Sequence, residues 1–186
     1  AAEKPTYKTN IVNGKPIVRF DGVDDSLKVT AAVVTTATAT IFVVGQPVDA
    51  TEGGCALHIG TEVGHGDGYS LGVGASDFDT EGNDIIALHD NVRWFDTNSL
   101  WGTQFRLITM TVNNSTLTIH RNGTEVHSSS PGAPNAPTVQ TSIGRDVQLV
   151  WRYLAGDIAE IFVYNSALAA GARQSGVDYS LAKYAL

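Results

Sequence analysis

The chain has 186 residues, a formal net charge of −7 and 42% hydrophobic residues, which fits one domain with a buried core, 1–186, and excludes a disordered chain. With 12 Lys+Arg there is no basic footprint for nucleic acid or an anionic membrane surface. Charged residues make up only 17% and there are 19 Gly, a composition that suits strands and turns better than helices.

The opening Ala-Ala-Glu-Lys-Pro lacks a charged-then-apolar export pattern, so an export peptide is expected to have been removed or never to have existed. Short β-prone runs broken by Gly, Asn, Asp and Pro follow. Strands are predicted near 16–20, 26–30, 38–46, 55–60, 68–74, 85–89, 104–112, 116–121, 124–128, 138–144 and 155–164. The spacing is that of an all-β, two-sheet antiparallel sandwich. The longest apolar run, Ile41-Phe42-Val43-Val44, is far below the roughly 18–20 residues of a transmembrane helix, so no membrane insertion is expected. The run Thr30–Thr40 carries no charge and is a candidate contact surface. A lone Cys55 rules out an internal disulfide and a Cys-ligated zinc, and in its apolar strand it reads as a small buried hydrophobe rather than a nucleophile.

The clearest local element is the hairpin Leu117–His127. Asn122-Gly123 supplies the positive φ angles of a type I′ turn. A two-residue loop pairs Arg121 with Thr124, His120 with Glu125, Ile119 with Val126 and Thr118 with His127, placing Ile119, Val126 and Leu117 on the core face. His120, Glu125, Thr118 and His127 then share the other face, read as exposed and polar rather than metal-binding. Asn113, Asn114 and Asn122 head N-x-Ser/Thr sequons, treated as turn residues. The Pro-rich segment 128–137 is an exposed connector. After the last strand, Asn165-Ser166 offers an N-cap, and Val177, Leu181 and Tyr184 fall at helical spacing. Gly171 and Gly176 weaken that helix, so it must dock on the sheets.

Two segments carry a family likeness. Gly14-Lys-Pro-Ile-Val-Arg-Phe20-Asp21-Gly22-Val-Asp24-Asp25, together with Gly156-Asp157-Ile-Ala-Glu160-Ile-Phe-Val-Tyr164-Asn165-Ser-Ala-Leu168 and the tail from Tyr179 to Leu186, resembles the LamG-like jelly-roll domains of the concanavalin A-like lectin/glucanase superfamily. The resemblance implies a jelly-roll sandwich whose first and last strands are adjacent, with a short C-terminal helix bracing an edge or end. It also implies that Asp21, Asp24 or Asp25 caps a corner at Gly22.

Relatives that are glycoside hydrolases carry E-x-D-x-x-E or E-x-D-x-E on one strand. Here Ala155 stands in the nucleophile's place, and strand alternation puts Asp157 and Glu160 on opposite faces unless a bulge intervenes, so no catalysis is expected. Two cation sites are candidates for Ca2+. One is the acidic loop with Asp77, Asp79 and Glu81, which lacks a twelfth-position carboxylate because Leu88 stands there. The other is Asp157, since sandwich relatives hold a structural cation near the last strand.

For a ligand, flat aromatic faces ringed by polar groups suit a sugar. Trp94 and Trp101 lie in a loop-like stretch interleaved with Arg93, Asp96 and Asn98, and this is the expected glycan site. Three functions follow as expectations. The first is a non-catalytic extracellular recognition or adhesion module for carbohydrate. The second is a structural surface protein of a virion, such as a decoration protein or a tail or fibre adhesin, whose partner is a cell-surface or virion protein and which forms oligomeric assemblies. A glycoside hydrolase is the disfavoured third.

Overall fold

A computed structural model describes residues 4–49, 52–60, 68–75, 84–89, 94–146 and 153–186. The larger of two antiparallel sheets runs in the order β1 (Thr6–Val12), β2 (Lys15–Asp21), β13 (Ala155–Tyr164), β4 (Thr38–Asp49), β9 (Arg106–Asn113), β10 (Thr116–Arg121) and β11 (Thr124–Ser129). The smaller runs β3 (Leu27–Val29), β12 (Thr141–Ile143), β5 (Glu52–Gly60), β6 (Gly68–Ala75), β7 (Asp84–His89) and β8 (Trp94–Leu100). This is the jelly-roll sandwich expected from the sequence, with β2 and β13 adjacent. Two strands were not expected: β1, and β8, which occupies the stretch read as a loop.

The interior lies between the sheets. Ile41, Val43, Ile108 and Met110 face it from the seven-stranded sheet and Leu57, Ile59, Leu71 and Ile85 from the six-stranded one; burying each such side chain is worth about 1.5–3 kcal/mol. The alternate residues Phe42, Val44, Leu107 and Ile17 form a second core with Val177 and Tyr184 of the helix α1 (Ala170–Tyr184), with Leu181 packed against it. The helix therefore lies on the outer face of the larger sheet rather than at an edge or end. Strand β4 is covered on both faces, which is why Ile41–Val44 is continuously apolar instead of alternating.

The helix starts later than expected. Ala169 is its N-cap and makes no side-chain cap bond. Asn165 is engaged elsewhere: its Oδ1 accepts the Thr35 amide and the Thr36 hydroxyl, both at 2.9 Å. The Ser166 carbonyl accepts the Thr40 hydroxyl at 3.0 Å. These bonds tie down the Thr30–Thr40 segment, in which Val34, Ala39 and Thr40 are fully buried, so part of it is packing rather than contact surface. Thr30, Ala31, Val33 and Thr35 remain exposed.

Both Asn-Gly pairs make tight hairpin turns, with φ of 46° and 72° at Asn13-Gly14 and 48° and 85° at Asn122-Gly123. The first explains β1, which the same signal would have revealed. At the second, Arg121↔Thr124 and His120↔Glu125 pair as expected, but a bulge then shifts the register to Ile119↔His127 and Thr118↔Ser128. Val126 is the inserted residue, partly buried against the interior. The face read as exposed is in fact covered near α1: His120 is 4% exposed.

Two glycines in α1 should respond oppositely to alanine. A Cβ at Gly176 would lie 2.9 Å from Phe42 Cζ, whereas one at Gly171 meets nothing within 4 Å. Gly176→Ala should cost about 1–3 kcal/mol by overpacking, and Gly171→Ala should stabilise by about 0.5–1 kcal/mol, both read from denaturant unfolding. Burial, and secondarily Arg173, depresses the His120 pKa, while Glu125 opposes them. The unfolded chain thus takes up the proton first, and stability falls as pH drops below about 6.5. His120→Gln should flatten that slope in unfolding midpoints measured between about pH 6.5 and 5.

Candidate functional site

Along β13, Glu160, Phe162 and Tyr164 face the helix. Strand β2 accompanies β13 only as far as Ile158↔Val18, while β4 follows it to Tyr164↔Thr40, so among the described residues Glu160–Tyr164 have a strand neighbour on one side only. Helix α1 runs beside this stretch with the small residues Ala172, Ser175 and Gly176, then Tyr179. Together they line a groove of about 420 Å³.

Its floor is aromatic. Phe162 stacks on Phe42 with centroids 4.4 Å apart, and Tyr164 and Tyr179 stand nearly perpendicular to Phe162, at 85° and 80°. Tyr164 is 43% exposed and Tyr179 50%. At one end Glu160 Oε1 accepts Lys183 Nζ at 2.8 Å and the Tyr179 hydroxyl at 3.2 Å. Lys183 also donates to the Tyr179 oxygen at 2.6 Å. The bond to Glu160, followed by that to Tyr179, raises the Lys183 pKa, so the ammonium stays charged. Glu160 Oε2 has no hydrogen-bond partner among the described residues. Flat apolar faces beside a carboxylate acceptor suit a ligand with both C–H faces and hydroxyl donors.

The sequence pointed elsewhere. Trp101 is a core residue, 2% exposed, with its indole N–H donated to the Gly45 carbonyl at 3.1 Å, so it offers no platform. Trp94, Asp96 and Asn98 belong to strand β8 at the edge of the six-stranded sheet. Arg93, Asp77, Asp79 and Glu81 lie outside the described residues, as does the acidic loop read as a calcium candidate.

Asp157, the other expected cation ligand, holds a guanidinium: Arg19 Nε and Nη2 reach its two carboxylate oxygens at 2.7 Å each. A register shift between Ile158 and Glu160 also corrects the expectation that Asp157 and Glu160 point to opposite faces. Ile158 belongs to the interior core and Glu160 lines the groove, so the bulge brings both carboxylates to the helix side. Each is held by a cation.

The described residues bring three more carboxylates together at the Phe-Asp-Gly corner. Ligand atoms of Asp21, Asp24 and Asp25 lie within 4.8 Å of one another, the one grouping of described residues with the donors for a cation. Their observed contacts are those of a turn, as expected: Asp21 Oδ1 accepts the amides of Val23 at 2.8 Å and Asp24 at 3.3 Å, and Asp25 Oδ2 accepts the amide of Asp21 at 3.0 Å. The Val23 amide leads in holding the Asp21 pKa low, while burial pushes that of Asp25 up. On the six-stranded sheet, His58 Nδ1 lies 2.6 Å from Ser70 Oγ and 3.6 Å from Asp146 Oδ1, all three residues fully buried. Both partners approach the same ring nitrogen, whereas a nucleophilic relay needs one on each.

Comparison with known proteins agrees with this architecture. The Laminin_G_3 family of the concanavalin A-like lectin/glucanases superfamily matches residues 21–172, and the chain belongs to that superfamily. A search of the curated proteins finds no sequence match. Among solved structures, the chain is similar to domain 4 of AbnA, a GH43 extracellular arabinanase from Geobacillus stearothermophilus in complex with arabinotriose, at 15% identity over 90% of this chain and 78% of that one, TM-score 0.66. It is also similar to a GH54 α-L-arabinofuranosidase soaked with a cyclic sulfate inhibitor, at 13% identity over 99% and 44%, TM-score 0.72. A botulinum neurotoxin serotype D binding domain matches at 10% identity over 95% and 45%, TM-score 0.63. The chain thus spans less than half of the latter two, and at these identities the likeness is one of fold. No helix among the described residues is long and apolar enough to cross a membrane.

The Arg19–Asp157 pair ties the start of the sheet to its last strand, and only the aspartate is deeply buried, its side chain 3% exposed against 47% for Arg19. Arg19→Met should therefore cost about 1.5–3 kcal/mol by stranding the carboxylate, and Asp157→Asn in that background should recover part of it. Denaturant unfolding of the two variants checks this.

Proposed function

We propose that this member of the concanavalin A-like superfamily is a non-catalytic recognition module that binds carbohydrate outside the cell, through the groove between β13 and α1. The observation that carries the reading is the pair of half-exposed rings, Tyr164 and Tyr179, set over Phe162 beside Glu160. Sugar C–H faces would stack on the tyrosines, and hydroxyls would donate to Glu160. The relatives add support of their own: one was solved with arabinotriose and another is a toxin's binding domain.

A purely binding role is favoured by the state of the β13 carboxylates. Glycoside hydrolysis needs one free carboxyl as acid and a second as base or nucleophile, whereas Asp157 is clamped by Arg19 and Glu160 by Lys183. A second reading, assembly on a virion or cell-surface lattice, is favoured by the edge strand β3. Its Leu27 and Val29 are 44% and 51% exposed on either side of Lys28, and Val33 is 47% exposed; among the described residues no strand pairs with the outer edge of β3, to which another chain could add. A concentration-dependent rise in mass by light scattering, abolished by Val29→Lys, would support assembly.

For the carbohydrate reading, Tyr164→Ala and Tyr179→Ala should each weaken oligosaccharide binding by about 1–3 kcal/mol while leaving the fold intact. A glycan array followed by calorimetric titration of the best ligand measures this. Unchanged affinity in both variants would remove the groove from the account.

A further inference from the structure

We propose that the opposite flank of α1 is a binding site for a compact oxyanion, a carboxylate or sulfate group, at the start of the helix. The site is separate from the aromatic groove and does not depend on how that groove is used.

The helix presents its N-terminus uncapped. The first intrahelical bond runs from the Arg173 amide to the Ala169 carbonyl at 2.9 Å, which leaves the amides of Ala170, Gly171 and Ala172 without an intrahelical acceptor. Ala169 supplies no side-chain cap, and no acidic residue occupies the first turn of this 15-residue helix. Residue types that cap helices in other proteins stand nearby in Asn165 and Ser166, but the Asn165 side chain is bonded to Thr35 and Thr36, and Ser166 is tied by its carbonyl to Thr40, ahead of the N-cap Ala169. The N-terminal end thus keeps its partial positive charge and its free donors.

A cavity of about 330 Å³ adjoins this end, lined by Thr111, Asn113, Thr116, Thr118, the segment Ala167–Ala169 and Arg173. Thr111 is the independent observation. It is 6% exposed, yet its hydroxyl has no hydrogen-bond partner among the described residues. Leaving such a group unpaired and out of water costs free energy that a bound acceptor would return. Thr40, Thr111 and Thr118 sit opposite one another on β4, β9 and β10, so hydroxyls cross the sheet in a row beneath the helix start. Thr40 is already bonded to the Ser166 carbonyl and the Leu168 amide, and Thr111 is the member left open.

Charge selects the ligand. Among the described residues Arg173 has no salt bridge and no carboxylate lines the cavity. On the neighbouring strands Glu125 lies 3.9 Å from His120. Free amides, a guanidinium and hydroxyls form a donor set that meets no competing anion among the described residues. The cavity exceeds what a bare carboxylate or sulfate needs, which leaves room for a sugar ring carrying one.

The test is an amide chemical-shift titration of the full chain at constant ionic strength, balanced with chloride. The probes are sodium sulfate, sodium glucuronate and glucose. Saturable shifts of the Ala170 and Gly171 amides with sulfate or glucuronate but not with glucose are expected. Affinity should fall at least tenfold in Arg173→Gln, and severalfold in Thr111→Val, which keeps the side-chain shape while removing the hydroxyl. Tyr179→Ala should leave it unchanged. Tighter binding of glucuronate than of sulfate would identify an acidic saccharide as the carrier, and equal binding a free anion; either outcome supports the site. Shifts that stay linear in anion concentration, or saturable shifts that persist unchanged in Arg173→Gln, would overturn it.

Discussion

The structure depends on how closely α1 can approach Phe42. Because the seven-stranded sheet carries apolar side chains on both faces, its outer face needs a cover of its own, and the helix provides it through Val177, Leu181 and Tyr184. The approach is close enough that Gly176 has no room for a side chain above Phe42 and Phe162. The β10–β11 turn is held to the same standard: a Cβ at Gly123 would lie 2.9 Å from Val177. At its far end the helix is fixed by the Asn13 side-chain Nδ2, which donates to the Lys183 carbonyl, and by Ala185 in the left-handed conformation that lets Leu186 fold back on Leu181.

Seating a single helix across a sheet this wide leaves two flanks. On the β13 side the alternation that sends Phe162 onto Phe42 also sends Glu160 and Tyr164 outward, and Tyr179 comes down beside them from the helix. On the β9–β10 side the outward residues are Thr109, Thr111, Thr118 and His120, and the helix arrives by its N-terminus. One packing event thus creates an aromatic groove beside one side of the helix and a donor-rich cavity beside the other. The interior between the sheets contributes only rigidity to either.

Much of the fold was legible in the sequence because its signals are local. Asn-Gly pairs need positive φ whatever surrounds them, and Val177, Leu181 and Tyr184 mark the buried side of a helix by spacing alone. The position of that helix was written more faintly, in the unbroken Ile41–Val44 run, whose two-sided burial betrays a second layer. The sites were less legible. Trp101 and Trp94 look alike in sequence, and only the packing makes Trp101 a core residue bonded to Gly45. The groove joins Glu160, Phe162 and Tyr164 to Tyr179 on another element, and no local pattern records that meeting. Asp157 and Arg19 are 138 residues apart, so a carboxylate that looked free for a cation has one built in. A one-residue bulge after Ile158 was enough to reverse the expected facing of Glu160.

The central claim is that the helix-covered face of the seven-stranded sheet is the recognition surface. The most direct measurement is a map of backbone amide shifts on adding the oligosaccharide that binds best. The account predicts that perturbations concentrate at Glu160–Tyr164 and at Ala172–Tyr179. Perturbations centred instead on strand β8 around Trp94, or on the six-stranded sheet, with the helix unmoved, would contradict it.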